Sequence, residues 1–367
     1  MADSTTRNDF TSIPLLDFSL ALSQTTKSLF ISQLQHALIN VGFIYLSNHP
    51  VLPHTSRLLP FIPKLFTLTQ EQKNKTAMVN SEHFLGYSKL GGELTKGKVD
   101  WREQWDFATK HTCRWKKGDP DYFRIWGPCQ WPEEELLPGF REALEAYLDA
   151  VQDLSYQFSS LVAESLGLGP DGLAKFYDKD EFMQHRAKIV KYPVPPEGGE
   201  GQGVGPHYDA GFLTFLLQAS EHQGLQVQNL AGEWVDAPPI PGTFVVNIGK
   251  ALEFVTGGVA RATSHRVLSP RGDTPRYSVP FFQNISLTIR LSDEVMQFPP
   301  EILNLRDERG DVAATDSVNF TEFNKEPSGK VNLIGRVKSH PDVGERHYPA
   351  LFKEIFPNGF HGKGSAY

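Results

Sequence analysis

Between residues 186 and 290 the chain is cut into short β-prone runs, each closed by glycine or proline. That cadence limits the fold more than anything else in the sequence. Residues 186–192 alternate in character and stop at Pro193, Pro195 and Pro196. Further runs follow at 213–218, 225–228, 232–235, 243–248, 262–267, 276–282 and 286–290. Many short strands with Gly/Pro turns predict a sandwich or jelly roll.

The segments ahead of this block read differently. Leu29, Phe30, Leu34, Ala37 and Leu38 recur at helical spacing across 25–40, and Gly42 closes that helix before a strand at 43–46. A second helix is expected over 53–66, and Thr69 reads as the N-cap of a third. Residues 84–131 are irregular and hold Trp101, Trp105, Trp115, Trp126 and Trp131, as a packed loop with a few strands or as a wall of a substrate cleft. A long helix is expected over 134–166, its buried stripe running from Leu144 through Tyr147, Leu148, Val151, Leu154 and Phe158 to Leu161 and Val162. Beyond 300 the sequence is polar, with one helix expected over 349–355. The first residues, to about 11, read as a disordered lead. The resulting fold class is mainly β with flanking helices, a jelly-roll core behind an N-terminal α/β region. Its expected divisions are 1–180, 181–295 and a closing tail at 296–367.

Chemistry enters at His207-Tyr208-Asp209, just before the run at 213–218. In extended chain, residues i and i+2 face the same side, so one imidazole and one carboxylate can aim at a common point. A second imidazole would complete a two-His-one-carboxylate face, suited to Fe(II) with open positions for other ligands. His265, in the run at 262–267, is the candidate. A second His-x-Asp, His340-Pro341-Asp342, has proline in the middle and no apolar strand after it, and is expected to be a surface loop. Arg276 and Ser278 share a strand face and make a fork for a carboxylate, to which Tyr192 can add a phenolic donor. Arg186 and Lys188 lie at even spacing from Tyr192. They face either solvent, the expectation for a strand surface, or the cavity, which would favour an acidic substrate. The glycines at 198, 199, 201, 203 and 205 precede a strand rather than a helix, and no Lys-Ser/Thr follows, so they are not a phosphate cradle.

Composition narrows the partners. A net charge of −7 and a pI near 6.0 give no reason to expect nucleic acid or an anionic membrane. Cys113 and Cys129 are the only cysteines, which excludes a disulfide framework and a cysteine-rich metal site. With no apolar leader at the start and no long apolar run, a cytoplasmic, monomeric protein acting on a small molecule is expected.

Taken together these residues resemble the 2-oxoglutarate/Fe(II) dioxygenases of the isopenicillin N synthase-like branch, over about residues 13 to 290. The likeness rests on Ile13-Pro14-Leu15-Leu16-Asp17, Gly42-Phe43-Ile44-Tyr45-Leu46, Gly86-Tyr87, His207-x-Asp209, Gly224-Leu225-Gln226-Val227, Val246-Asn247-Ile248-Gly249, Ser264-His265-Arg266-Val267 and Pro275-Arg276-Tyr277-Ser278. It implies a double-stranded β-helix, with His207, Asp209 and His265 as iron ligands and catalytic centre. Arg276 and Ser278, helped by Tyr192, would anchor 2-oxoglutarate. The implied reaction uses O2, releases succinate and CO2, and hydroxylates, desaturates or cyclises a metabolite. Two departures stand out: Val190 replaces the family's Asn before Tyr192, and Lys250 follows Asn-x-Gly where Asp is frequent. The stretch from Gly91 to Asp100 is similar to the ethylene-forming members. Two other readings stay open, an oxidase of the isopenicillin N synthase or aminocyclopropane carboxylate type that does not use 2-oxoglutarate, and a non-catalytic metal-binding jelly roll.

Overall fold

In the computed structural model, residues 10–95, 98–196, 202–309 and 325–360 are described. The first residues of the expected lead and Gly198, Gly199 and Gly201 lie outside them. The strands in chain order are β1 (Leu15–Asp17), β2 (Phe43–Ser47), β3 (Gly86–Ser88), β4 (Leu94–Thr95), β5 (Lys98–Val99), β6 (Glu103–Ala108) and β7 (Arg186–Tyr192). They continue as β8 (Gln202–His207), β9 (Leu213–Gln218), β10 (Leu225–Gln228), β11 (Trp234–Asp236), β12 (Phe244–Ile248), β13 (His265–Leu268) and β14 (Arg276–Phe282). A large sheet runs β1-β2-β12-β9-β14-β7-β6-β3, a smaller one β11-β10-β13-β8, and β4 pairs with β5 alone.

The period of two sorts the side chains of the large sheet into two layers. Ile189, Phe215, Phe244, Val246, Val279 and Phe281 join one core with Leu144, Leu148, Val151, Leu154 and Phe158 of the long helix. Val190, Tyr192 and Val245 join a second core with Val204, Leu225, Val227 and Val267 of the smaller sheet. The large sheet is therefore covered on one face by the helix, and on the other by the smaller sheet. Each fully buried Leu, Val or Phe on that interface contributes about 1.5–3 kcal/mol.

Several elements differ from the sequence expectation, each for a local reason. The long helix is Phe140–Ser165, shorter at its start, because Gly139 takes a left-handed φ of 80° and donates its N–H to the Glu134 carboxylate. Pro60 and Pro63 split the expected 53–66 helix into Leu52–Leu58 and Phe61–Thr67. Residues 286–290 form a turn rather than a strand, since their carbonyls serve the following region, with Ser328 N–H bonding Ile289 O at 2.7 Å. Among its described residues the polar tail carries four helices, Pro300–Arg309, Ser328–Ser339, Pro341–His347 and Pro349–Ile355. Leu333, Val337, Val343, Tyr348 and Phe352 bury against Phe84, Ile125 and Trp126 of the irregular region. His340-Pro341-Asp342 is consequently no surface loop: Pro341 opens a helix, where its missing N–H costs nothing, and His340 is buried. The irregular region contributes β3 and β6 to the large sheet, with Trp105 wholly enclosed.

Candidate active site

His207 ends β8 and pairs across the smaller sheet with His265, the first residue of β13. Asp209 stands two residues beyond His207, in the turn that leads to β9. The Asp209 Oδ1 lies 3.8 Å from His207 Nε2 and 3.9 Å from His265 Nε2. One donor atom from each of the three falls within 4.8 Å of the others. The turn is held from outside, because Lys250 N–H bonds the Asp209 carbonyl at 2.8 Å. A side chain at Gly249 would collide with the Gly211 carbonyl oxygen, so only glycine admits this approach.

The outer hydrogen bonds decide which atoms face inward. His207 Nδ1 lies 2.8 Å from Gly205 O, and His265 Nδ1 lies 3.2 Å from Thr263 O. A carbonyl only accepts, so both Nδ1 atoms carry the proton and both Nε2 lone pairs point to the common centre. The second oxygen of Asp209 accepts from Thr214 Oγ1 at 2.6 Å and Asn247 Nδ2 at 2.8 Å, leaving Oδ1 for the centre. Burial pushes His265 down to about 4, and His207 also falls below its ordinary value. Both imidazoles are thus neutral at pH 7. Burial works against the Asp209 charge, but the two imidazoles, which become cations in the acid range where the carboxyl titrates, and the Asn247 and Thr214 bonds outweigh it and hold the carboxyl low.

These three residues open onto a cavity between the two sheets. Tyr192, Leu216, Arg276 and Ser278 line it from the large sheet, and Val204, Leu225 and Val267 from the smaller. Arg276 is 1% exposed, pairs in register with Tyr192, and lies with its guanidinium 5.1 Å from that ring. Its Nη2 reaches Gln218 Oε1 at 3.2 Å, while Nε and Nη1 have no hydrogen-bond partner among the described residues. Burial lowers its pKa, and only Tyr192 offsets that effect. A buried guanidinium with unused donors, and no carboxylate beside it among the described residues, is a receptor for a planar anion. Ser278 is equally buried on the same face.

Arg186 and Lys188 do not face solvent, contrary to the expectation for a strand surface. Arg186 is 1% exposed and sits in a cage of carbonyls, with Phe84 O at 2.9 Å, His83 O at 2.5 Å and Ile125 O at 2.8 Å. Lys188 lines the cavity, and so does Arg102 from the irregular region, which sequence reading did not single out. Thr214 and Asn247 also went unassigned. Asn247 lies in the Val246-Asn247-Ile248-Gly249 run, and only the fold brings it to Asp209.

A family model described as the 2OG-Fe(II) oxygenase superfamily matches residues 182–285, and one for the N-terminal region of a non-haem dioxygenase in morphine synthesis matches 13–134. A 2-oxoglutarate-dependent dioxygenase, frbJ, of Dothideomycetidae sp. (strain 11243) is 45% identical over 360 residues, covering 94% of this chain and 95% of its own. The chain belongs to the 2OG-Fe(II) oxygenase superfamily. A further 2-oxoglutarate-dependent dioxygenase, from Gibberella zeae, is 37% identical and covers 94% and 93%. Among solved structures, a full-length Neurospora crassa protein in complex with alpha-KG superposes with a TM-score of 0.68 at 26% identity, covering 89% of this chain and 96% of that one. As a member of the superfamily the protein is an Fe(II)- and 2-oxoglutarate-dependent enzyme that oxidises a small molecule. Among the described residues no helix is long and apolar enough to cross a membrane.

Proposed function

We propose that His207, Asp209 and His265 hold the Fe(II), and that Arg276, with Ser278 and Tyr192, receives the far carboxylate of 2-oxoglutarate. The observation that carries this reading is the pairing of a converging N,N,O donor set with an orphaned buried guanidinium in one cavity. The donor chemistry fits the metal: two neutral imidazoles and one carboxylate on one face leave the opposite positions open. When bound, Fe(II) with 2-oxoglutarate and O2 supplies the oxidising power, yielding succinate and CO2.

The protein's own part is placement. Gly205 and Thr263 fix the two imidazole tautomers, and Asn247 with Thr214 fixes which carboxylate oxygen turns inward. The guanidinium fork sets the reach and rotation of the co-substrate, and Leu216, Leu225 and Val267 keep that end of the cavity dry. Val190, where the family has Asn, is fully buried among apolar neighbours, so no amide contact is made there. Lys250, where Asp is frequent, turns to Glu253 instead. We also take the enzyme to be monomeric and cytosolic, acting on no nucleic acid, in keeping with its pI near 6.0.

The test is metal analysis together with succinate release. Substituting His207, Asp209 or His265 by alanine abolishes Fe(II) retention and succinate formation from 2-oxoglutarate, whereas His340→Ala leaves iron content intact. Oxygen uptake without succinate in the intact protein would replace this reading with the oxidase one.

A further inference from the structure

Among the described residues, three cations line the cavity, Arg102, Lys188 and Arg276, against one carboxylate, Asp209. The proposed function uses Arg276 and Asp209 and leaves the other two without a task. They do not belong to the co-substrate end. Tyr192 pairs with Arg276, and Lys188 lies four residues back along β7, about 13 Å at the usual strand rise. Gly203 of β8 packs on the Tyr192 ring, where an added Cβ would lie 2.8 Å from it, and His207 is four residues further along β8. The charges of Arg102 and Glu93 both act on His207. The metal-binding face therefore lies toward Arg102 and Lys188, four residues of strand away from the Tyr192 level at which Arg276 sits.

Both cations are held from behind. Glu93 Oε2 accepts from Arg102 Nη2, Lys188 Nζ and Gln104 Nε2, each at 2.7 Å. Asp100 stands 3.0 Å from Arg102, and Asp106 stands 3.6 Å from both Lys188 and Arg336. None of these three carboxylates is on the cavity wall. They keep the cations charged and aimed while the cations alone meet the cavity. Burial opposes the charge on Arg102, yet Glu93 and Asp100 outweigh it and raise its pKa. Donor capacity remains: Arg102 Nε has no partner among the described residues, and Lys188 has three N–H groups against one hydrogen bond to Glu93. A purely structural ion network would have no reason to turn its cationic side toward the reactive centre. Pro280 and Phe282, on the same strand face as Arg276 and Ser278, supply an apolar wall nearby.

We propose that Arg102 and Lys188 form a second anion subsite, beside the metal-binding face and apart from Arg276, which binds a carboxylate of the substrate. The substrate is then a small organic acid with an apolar body, held by its anion while the carbon to be oxidised faces the metal. This rests on the reading of Arg276 as the co-substrate anchor, which among the described lining residues leaves Arg102 and Lys188 for the substrate.

The test is calorimetric titration of the anaerobic Fe(II) protein, saturated with 2-oxoglutarate, with three isosteric probes: benzoate, benzamide and benzamidine. Benzoate binds at least tenfold tighter than benzamide, and benzamidine binds weakest. Lys188→Met and Arg102→Met each erase the preference for benzoate without changing iron content or 2-oxoglutarate affinity. Glu93→Gln keeps an amide oxygen as acceptor, with Asp100 and Asp106 still behind the two cations, and removes the competing internal charge, so it tightens benzoate; this opposite sign serves where a cation variant fails to fold. Equal binding of benzoate and benzamide, or tighter binding of benzamidine, overturns the subsite. The Arg276 reading is measured separately, through 2-oxoglutarate affinity and succinate release, and stands or falls on those.

Discussion

Arg186 and Arg276 sit at opposite ends of the same strand pair, on the same inward face, and each is 1% exposed. Their surroundings are otherwise unlike. Arg186 spends both of its Nη groups on three backbone carbonyls of the irregular region, leaving Nε alone without a partner among the described residues, so it is a strut that ties β7 to residues 83–84 and 125. Arg276 has one long bond to Gln218 and two nitrogens without partners among the described residues. Burial depresses the pKa of both, that of Arg186 to about 9. Burial and charge alone therefore do not mark a ligand site. What separates a structural cation from a receptor is whether the protein has already used its donors.

The contrast makes graded predictions. Arg186→Met should be the most damaging to the fold, because it strands three buried carbonyls. About 3–5 kcal/mol of unfolding free energy should disappear in a urea titration, and a loss under about 1 kcal/mol would show that the carbonyl cage is not a strut. Arg276→Met should reverse the pattern, leaving stability equal or higher while the KM for 2-oxoglutarate rises about tenfold or more, at about 1.4 kcal/mol per decade. Arg276→Lys should recover only part of that loss, since an ammonium lacks the planar fork.

The next effect concerns His185, beside the strut. Its Nδ1 accepts from Asn284 N–H at 3.0 Å, so the proton is on Nε2 and faces Tyr156 Oη at 2.8 Å. Burial holds it neutral, down to about 3 from the ordinary 6.5. The unfolded chain binds this proton near pH 6.5 and the native one does not, so stability falls as pH drops from 6.5 toward 3. His185→Phe should flatten that acid limb by up to about 1.4 kcal/mol per pH unit, read by melting at successive pH values, and an unchanged slope would assign the limb to other groups. Smallest is Ser278→Ala. One hydrogen bond of about 1 kcal/mol to the co-substrate corresponds to a roughly fivefold rise in KM, with no effect on stability beyond the loss of one hydroxyl.

Much of this was legible in the chain. The strand cadence, the His-x-Asp spacing and the Arg-x-Ser pair are local patterns, and β7, β9, β10 and β14 fall where alternation and turns place them. Local pattern cannot show which polar groups are already satisfied, because their partners are distant in sequence. Arg186 and Lys188 resembled a solvated strand face until Phe84, Ile125 and Glu93 arrived from about 60 to 100 residues away. His340 resembles a loop residue until Phe84, itself stacked on Tyr348, closes over it. Arg102 had no motif at all, and its place on the cavity wall follows from β6 joining the edge of β7. The tail misled for a related reason, since its helices bury only part of one side each and their hydrophobic periodicity is weak.

The most direct measurement of the central claim is the calorimetric affinity of anaerobic, Fe(II)-loaded protein for 2-oxoglutarate, compared between the intact chain and Arg276→Met at equal iron content. The account predicts stoichiometric binding by the intact protein and at least a tenfold loss in the variant, with a melting temperature no lower than that of the intact chain. Equal affinity in the two would contradict it.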